Sequence, residues 1–186
     1  MPAKLVGTGT AFTLKDHQVD TIVQILVAKS RPQRIWQFYP KTGYHLANAR
    51  AIRSFPLIMR EECVSRLRRR YRLRIIGEMG LSTVSGPLAP VIGLPLLAMI
   101  LLQWSVDMAW AYGLEMNQKA AQRWLGHRVM AEFRRAIWQA EESNRAPWQR
   151  SLCLAGSLLF MGWGQELQWA DRVMAKTRSA IRAQLA

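Results

Sequence analysis

Between Glu78 and Asp107 the chain carries no Asp, Glu, Lys, Arg or His: residues 79–106 read MGLSTVSGPLAPVIGLPLLAMILLQWSV. A bilayer core about 30 Å thick is crossed by roughly 20 apolar residues in a helix, so this run is long enough. Its punctuation argues against one straight rod. Gly86, Pro87, Pro90, Gly93 and Pro95 crowd its first two-thirds. Each proline removes a backbone donor and clashes with the preceding turn, and the residue before it is pushed out of helix. The pattern predicts a helix to about Ser85, a broken corner over SGPLAPVIGLP, and a second helix from about Leu96. That is a helical hairpin.

The segment entering this run is its electrostatic opposite. Arg66, Arg68, Arg69, Arg70, Arg72 and Arg74 precede it directly, while Val64, Leu67, Tyr71 and Ile75 recur at i+3 and i+4 steps. The combination describes a basic amphipathic helix, and clusters of four to eight cations beside a membrane segment bind anionic head groups. The flank from Tyr112 to Arg150 and the tail after Gly164 also hold more cations than acids. Cation-rich flanks stay cytoplasmic, so a hairpin that enters and returns keeps all three on one side. A single crossing does not.

The remaining chain reads as helices and connections. Thr13 and Asp16 suggest a capping box ahead of a short amphipathic helix carrying Val19, Ile22, Val23, Leu26 and Val27, which stops near Ser30. RPQRIWQFYPKTGY has no period and reads as a loop or extended crossing. A further helix is expected after Gly43, with Pro56 separating it from the basic one. Beyond the hairpin, Asn117 can cap a helix whose stripe is Ala121, Leu125, Val129, Phe133 and Ile137. Leu152–Gly164 is a second apolar run, too short for an ordinary span, and a mixed helix follows from about Gln165. Nothing alternates with period two for long enough to suggest strands.

A net charge of +14 calls for an acidic partner, either an anionic lipid surface or nucleic acid. The eight tryptophans suit both, as interfacial anchors or as base-stacking groups. Trp104, Trp110, Trp148, Trp163 and Trp169 lie near the ends of the apolar runs and fit an interfacial belt, whereas Trp124 and Trp138 fit core packing. Cys63 and Cys153 lack metal-ligand spacing, and His17, His45 and His127 are scattered, so no metal and no cofactor are assigned. No Gly-x-Ser-x-Gly elbow occurs, and the adjacent Glu61–Glu62 pair reads as solvated charge. Gln103 and Asp107, four residues apart, project from one face of the apolar helix as a polar pair. An acid there is costly unless partnered: either Asp107 marks the helix end at the interface, or a cation from the basic helix clasps it.

The segment APVIGLPLLAMILLQWSVDMAWAYGLEMNQKAAQRWLG resembles the EcsC-like family and the related YcjF-type membrane domain that follows small GTPase domains. The matching positions are Pro95, Gln103, Ala109, Tyr112, Gly113 and Glu115, within a region of roughly residues 65–130. The resemblance implies an all-helical, membrane-associated protein. No GxxxxGK[ST] occurs in the chain, so nucleotide hydrolysis is not carried over, and a GTPase would act only as a separate partner. Gly113 also suits a helix C-terminus that needs positive φ.

The sequence therefore predicts an all-α, single-domain helical bundle over 1–186. It comprises N-terminal helices and a loop (1–59), the basic helix with its apolar hairpin (60–115), and C-terminal amphipathic and apolar helices (116–186). The function expected is a non-enzymatic, membrane-associated scaffold or accessory subunit of a larger assembly. Its basic face would meet anionic lipid on the cytoplasmic side of a bacterial inner membrane or organellar equivalent. A basic nucleic-acid- or ribosome-associated accessory protein is the alternative.

Overall fold

Seven helices and no strand make up the described part of the chain, which in this computed structural model comprises residues 15–39, 49–84, 89–143 and 161–185. They are α1 (Asp16–Lys29), α2 (Pro32–Trp36), α3 (Ala49–Arg53), α4 (Leu57–Val84), α5 (Ala89–Ala111), α6 (Lys119–Ser143) and α7 (Met161–Leu185).

The hairpin is present and is longer than its punctuation suggests. α4 runs unbroken for 28 residues, about 42 Å, and α5 for 23 residues, about 34 Å. They pack antiparallel: Tyr71 meets Asp107 near the middle and Glu61 meets Tyr112 at the far end. Of the five expected corner residues, Gly86 and Pro87 lie outside the described residues. Pro90, Gly93 and Pro95 belong to α5, which starts at Ala89 instead of Leu96. Pro90 sits at the second helical position, where a missing N–H costs nothing because the first four donors have no intrahelical partner. Pro95 lies inside the helix, which continues through it.

α5 is apolar on every face, and such a helix is buried either in a core or in a membrane. Here it touches α1, α2, α4, α6 and α7. Leu101, Leu102, Trp104, Val106, Met108, Ala109, Ala111 and Tyr112 are all buried. One window, Leu94–Ala111, is long and apolar enough to cross a membrane, and 67 % of it is buried inside the protein. Neighbouring helices thus cover two-thirds of this length, while Met99 stays exposed.

Those neighbours supply amphipathic faces. Val64, Leu67, Tyr71 and Ile75 of α4 face α5, as the i+3/i+4 spacing requires. On α6, Leu125, Val129 and Phe133 are buried, with Ala121 and Ile137 packed at the edge. α1 lies close on α6 because residue 126 is glycine: a Cβ there would fall 2.9 Å from Val23 and 3.0 Å from Val19. Asp20 of α1 staples the same contact, reaching Arg123 at 3.2 Å and His127 at 3.3 Å. α1 begins at Asp16, where the Gln18 side chain accepts the Lys15 backbone N–H; Thr13 lies outside the described residues. The expected loop after Ser30 instead contains α2, whose Ile35 and Trp36 are buried. Residues 152–160 of the second apolar run lie outside the described residues, and α7 opens at Met161.

Two tryptophans expected at an interface are core groups. Trp104 is 1 % exposed, and Trp110 is buried with its indole N–H donating to Ser30 Oγ at 3.0 Å. Trp148 lies outside the described residues.

Candidate anion-binding cleft

α5 ends in a Schellman motif. Gly113 adopts φ +81°, its N–H bonds the Trp110 carbonyl at 3.1 Å, and the Leu114 N–H reaches back to the Ala109 carbonyl at 2.9 Å. The family-like residues Ala109, Tyr112, Gly113 and Glu115 all belong to this helix end. Arg53 Nε donates to the Gly113 carbonyl at 2.9 Å, and Arg50 Nε reaches Glu115 at 2.9 Å. That guanidinium holds the Glu115 carboxyl below its usual range. Tyr39 donates to the Ala111 carbonyl. The Tyr112 hydroxyl donates to Glu61 at 2.8 Å, and Glu61 also pairs with Arg178 and Arg182 of α7. Glu61 is therefore a joint between three helices, not the solvated charge expected. The motif fastens α5 to its neighbours. Gln103 and Asp107 stand just inside this fastening.

Asp107 finds a partner on α4, and that partner is a phenol, not one of the cations that could have clasped it. Tyr71 donates to Oδ2 at 2.5 Å, and Gln103 Nε2 donates to Oδ1 at 3.1 Å. Burial pushes the Asp107 carboxyl above its ordinary range, opposed by these two hydrogen bonds and by the fields of Arg70 and Arg74. The Tyr71 hydroxyl is likewise pushed well above its ordinary value, first by burial and then by Asp107.

This trio forms the floor of a cleft of about 450 Å³ between the α1–α2 junction and the α4–α5 hairpin. Ser30 pins the junction, closing α1 through its N–H to Leu26 and Val27 and accepting the Trp110 indole. Pro32 then starts α2 at once, as its preset φ allows. The resulting corner brings Lys29, Arg31 and Arg34 to the rim, opposite Arg70 and Arg74 of α4. Ile35, Phe38 and Leu67 supply apolar wall, with the Arg70 guanidinium 6.0 Å from the centre of the Phe38 ring.

The arginine row predicted to bind anions as one face is split by the helix. At 3.6 residues per turn, Arg66, Arg70 and Arg74 share a side, while Arg68 and Arg72 point away. Arg68 and Arg72 are tied to Asp171 of α7 at 2.9 and 3.5 Å. Arg66 is engaged by Glu62 at 2.5 Å and by the Phe38 carbonyl at 3.3 Å. Arg69 is exposed between the two sets. Only Arg70 and Arg74 line the cleft. The three rim cations from α1 and α2 were not identified from sequence, although KSRPQR, with three cations around a helix stop and a proline, carried the signal.

None of the five cleft cations makes an ion pair with any described residue, whereas most other arginines do. A second hollow, of about 470 Å³, lies beside Trp110, but its Arg50 and Glu115 neutralise each other. No cluster of His, Cys, Asp and Glu suited to a metal occurs among the described residues. Comparison with protein-family models, curated proteins and solved structures finds no match for this chain. The likeness to the EcsC-like pattern therefore rests on its motif residues alone.

Proposed function

We propose that the chain is a non-enzymatic accessory protein that docks on an anionic membrane surface by the turn end of its α4–α5 hairpin. The bundle body remains in water. The observation that carries this reading is a change of character along α4. Just where its arginines give way to uncharged sequence, Leu73 and Ile76 stand 66 % and 41 % exposed, with Met99 of α5 at 38 %. Beyond them, residues 79–93 contain no charge. Cations followed by exposed apolar groups are the arrangement of an interfacial anchor, in which electrostatic attraction and apolar burial add. The excess of cations in the flanks favours the cytoplasmic side for the docking face. The remaining bundle surface is left for a protein partner, whether a separate GTPase or a larger complex.

Flotation with vesicles tests this. The protein should float with phosphatidylcholine vesicles containing an anionic lipid, float poorly with phosphatidylcholine alone, and resist release by salt more than a purely electrostatic ligand would. Failure to float, together with salt-sensitive RNA binding in the absence of lipid, would transfer the reading to a nucleic-acid accessory protein.

A further inference from the structure

We infer that the cleft formed by Lys29, Arg31, Arg34, Arg70 and Arg74 is a discrete site for a phosphate monoester, which binds with its phosphate at the rim and its organic part against Ile35, Phe38 and Leu67. This goes beyond membrane docking, which needs only diffuse charge. Five unpaired cations gathered around one hollow repel each other. The chain pairs most of its other arginines with carboxylates, among them Asp171 of α7 and Glu61 of α4, yet it supplies the cleft with only Asp107. Both Asp107 oxygens already accept hydrogen bonds, from Tyr71 and Gln103. The carboxylate is thus held by two neutral donors and not by a guanidinium, and it offsets at most one of the five positive charges.

The chemistry favours phosphate over carboxylate. A phosphate monoester presents three acceptor oxygens and close to two negative charges, and arginine forks match that geometry. A volume of about 450 Å³ falls within the usual range for small-ligand sites. The apolar wall accommodates whatever carries the phosphate. Either a lipid head group or a soluble ester supplies the same chemistry.

Two double variants of equal charge loss decide the matter: Arg34→Gln with Arg74→Gln in the cleft, and Arg69→Gln with Arg172→Gln outside it. Each is first checked by circular dichroism and thermal melting. Calorimetric titration uses inorganic pyrophosphate in one arm and phosphatidylcholine vesicles doped with phosphatidic acid in the other. The expected result is saturable binding, weakened about tenfold or more by the cleft pair and less than about twofold by the outside pair. Saturation by pyrophosphate identifies a soluble phosphate group as sufficient; saturation only by phosphatidic acid vesicles identifies a lipid head group. Equal losses in the two variants, or no saturable binding in either arm, overturns the site. Pyrophosphate binding without vesicle flotation would sink membrane docking and leave the cleft standing.

Discussion

The carbonyl oxygen of Ala49 lies 2.6 Å from the point that a Cβ on Gly113 would occupy. α3 can rest on the end of α5 only because residue 113 has no side chain, and the left-handed φ of +81° makes the same demand on the backbone. Gly113→Ala should cost about 2–4 kcal/mol, combining left-handed strain with overpacking. Urea unfolding measures the loss. A cost below about 1 kcal/mol would mean that α3 can move away freely and that the Arg53 contact to the Gly113 carbonyl matters little.

Asp107 should make the wild-type protein less stable as pH rises through the acid range. Its carboxyl binds a proton more tightly in the native state than in the unfolded chain, because burial outweighs the donors around it. Stability from this group is therefore full below the unfolded value near 3.8 and falls as pH climbs through the raised native value. Asp107→Asn keeps a carbonyl for Gln103 and offers an amide to the Tyr71 oxygen. It should gain on the wild type as pH is raised from about 4 to 7. Asp107→Leu leaves both donors without an acceptor and should cost about 2–4 kcal/mol near pH 4, the cost shrinking as pH rises. Chemical denaturation across that pH range checks both, and a wild-type advantage that grows with pH would reverse the assignment.

Glu61 holds α7 to the α4–α5 pair through Arg178, Arg182 and the Tyr112 hydroxyl. Glu61→Ala strands three donors in a partly covered site and should cost about 2–3 kcal/mol. The opening should be local, so amide exchange should accelerate around Arg178 and Arg182 before it does so in α5. Uniform acceleration across the bundle would show that α7 has no separate stability.

Cys63 offers a probe of the contact between α2 and α4, its thiol lying against the Ile35 carbonyl. It is 1 % exposed, and burial raises its thiol to about 12. With Cys153 replaced by serine, labelling by a thiol reagent at neutral pH should be slow and limited by unfolding. Rapid labelling of native protein would mean that α2 lifts off α4 readily.

Periodicity made the faces of α4 and α6 legible, because a half-buried helix writes its orientation in the spacing of its apolar residues. α5 was legible as a helix but not as to its surroundings. An all-apolar helix meets lipid and protein on the same terms, so composition alone could not show that α1, α2, α6 and α7 cover it. The end of α5 was forecast from Gly113 by conformation. The cleft was only half forecast. Arg70 and Arg74 were in view, but Lys29, Arg31 and Arg34 join them through a turn whose closure depends on Ser30 and Trp110, residues 80 positions apart. Proline spacing put the start of α5 too late because prolines in the first helical turn are tolerated, and a single one deeper inside is carried by a well-packed helix.

The exposed Leu73 and Ile76 separate membrane docking from plain charge attraction. Both lie on the outer side of α4, so replacing them with serine removes little from the core. Each should change folding stability by no more than about 0.5 kcal/mol. If they enter the interfacial region of a bilayer, their loss removes apolar burial of about 2–4 kcal/mol in total, and partition onto anionic vesicles should fall roughly 30-fold or more. The binding that remains should be dominated by arginine and become steeply salt-dependent. A double variant that floats as well as the wild type, with the same salt dependence, would show that α4 meets the surface through its cations alone and that the hairpin turn stays out of the lipid.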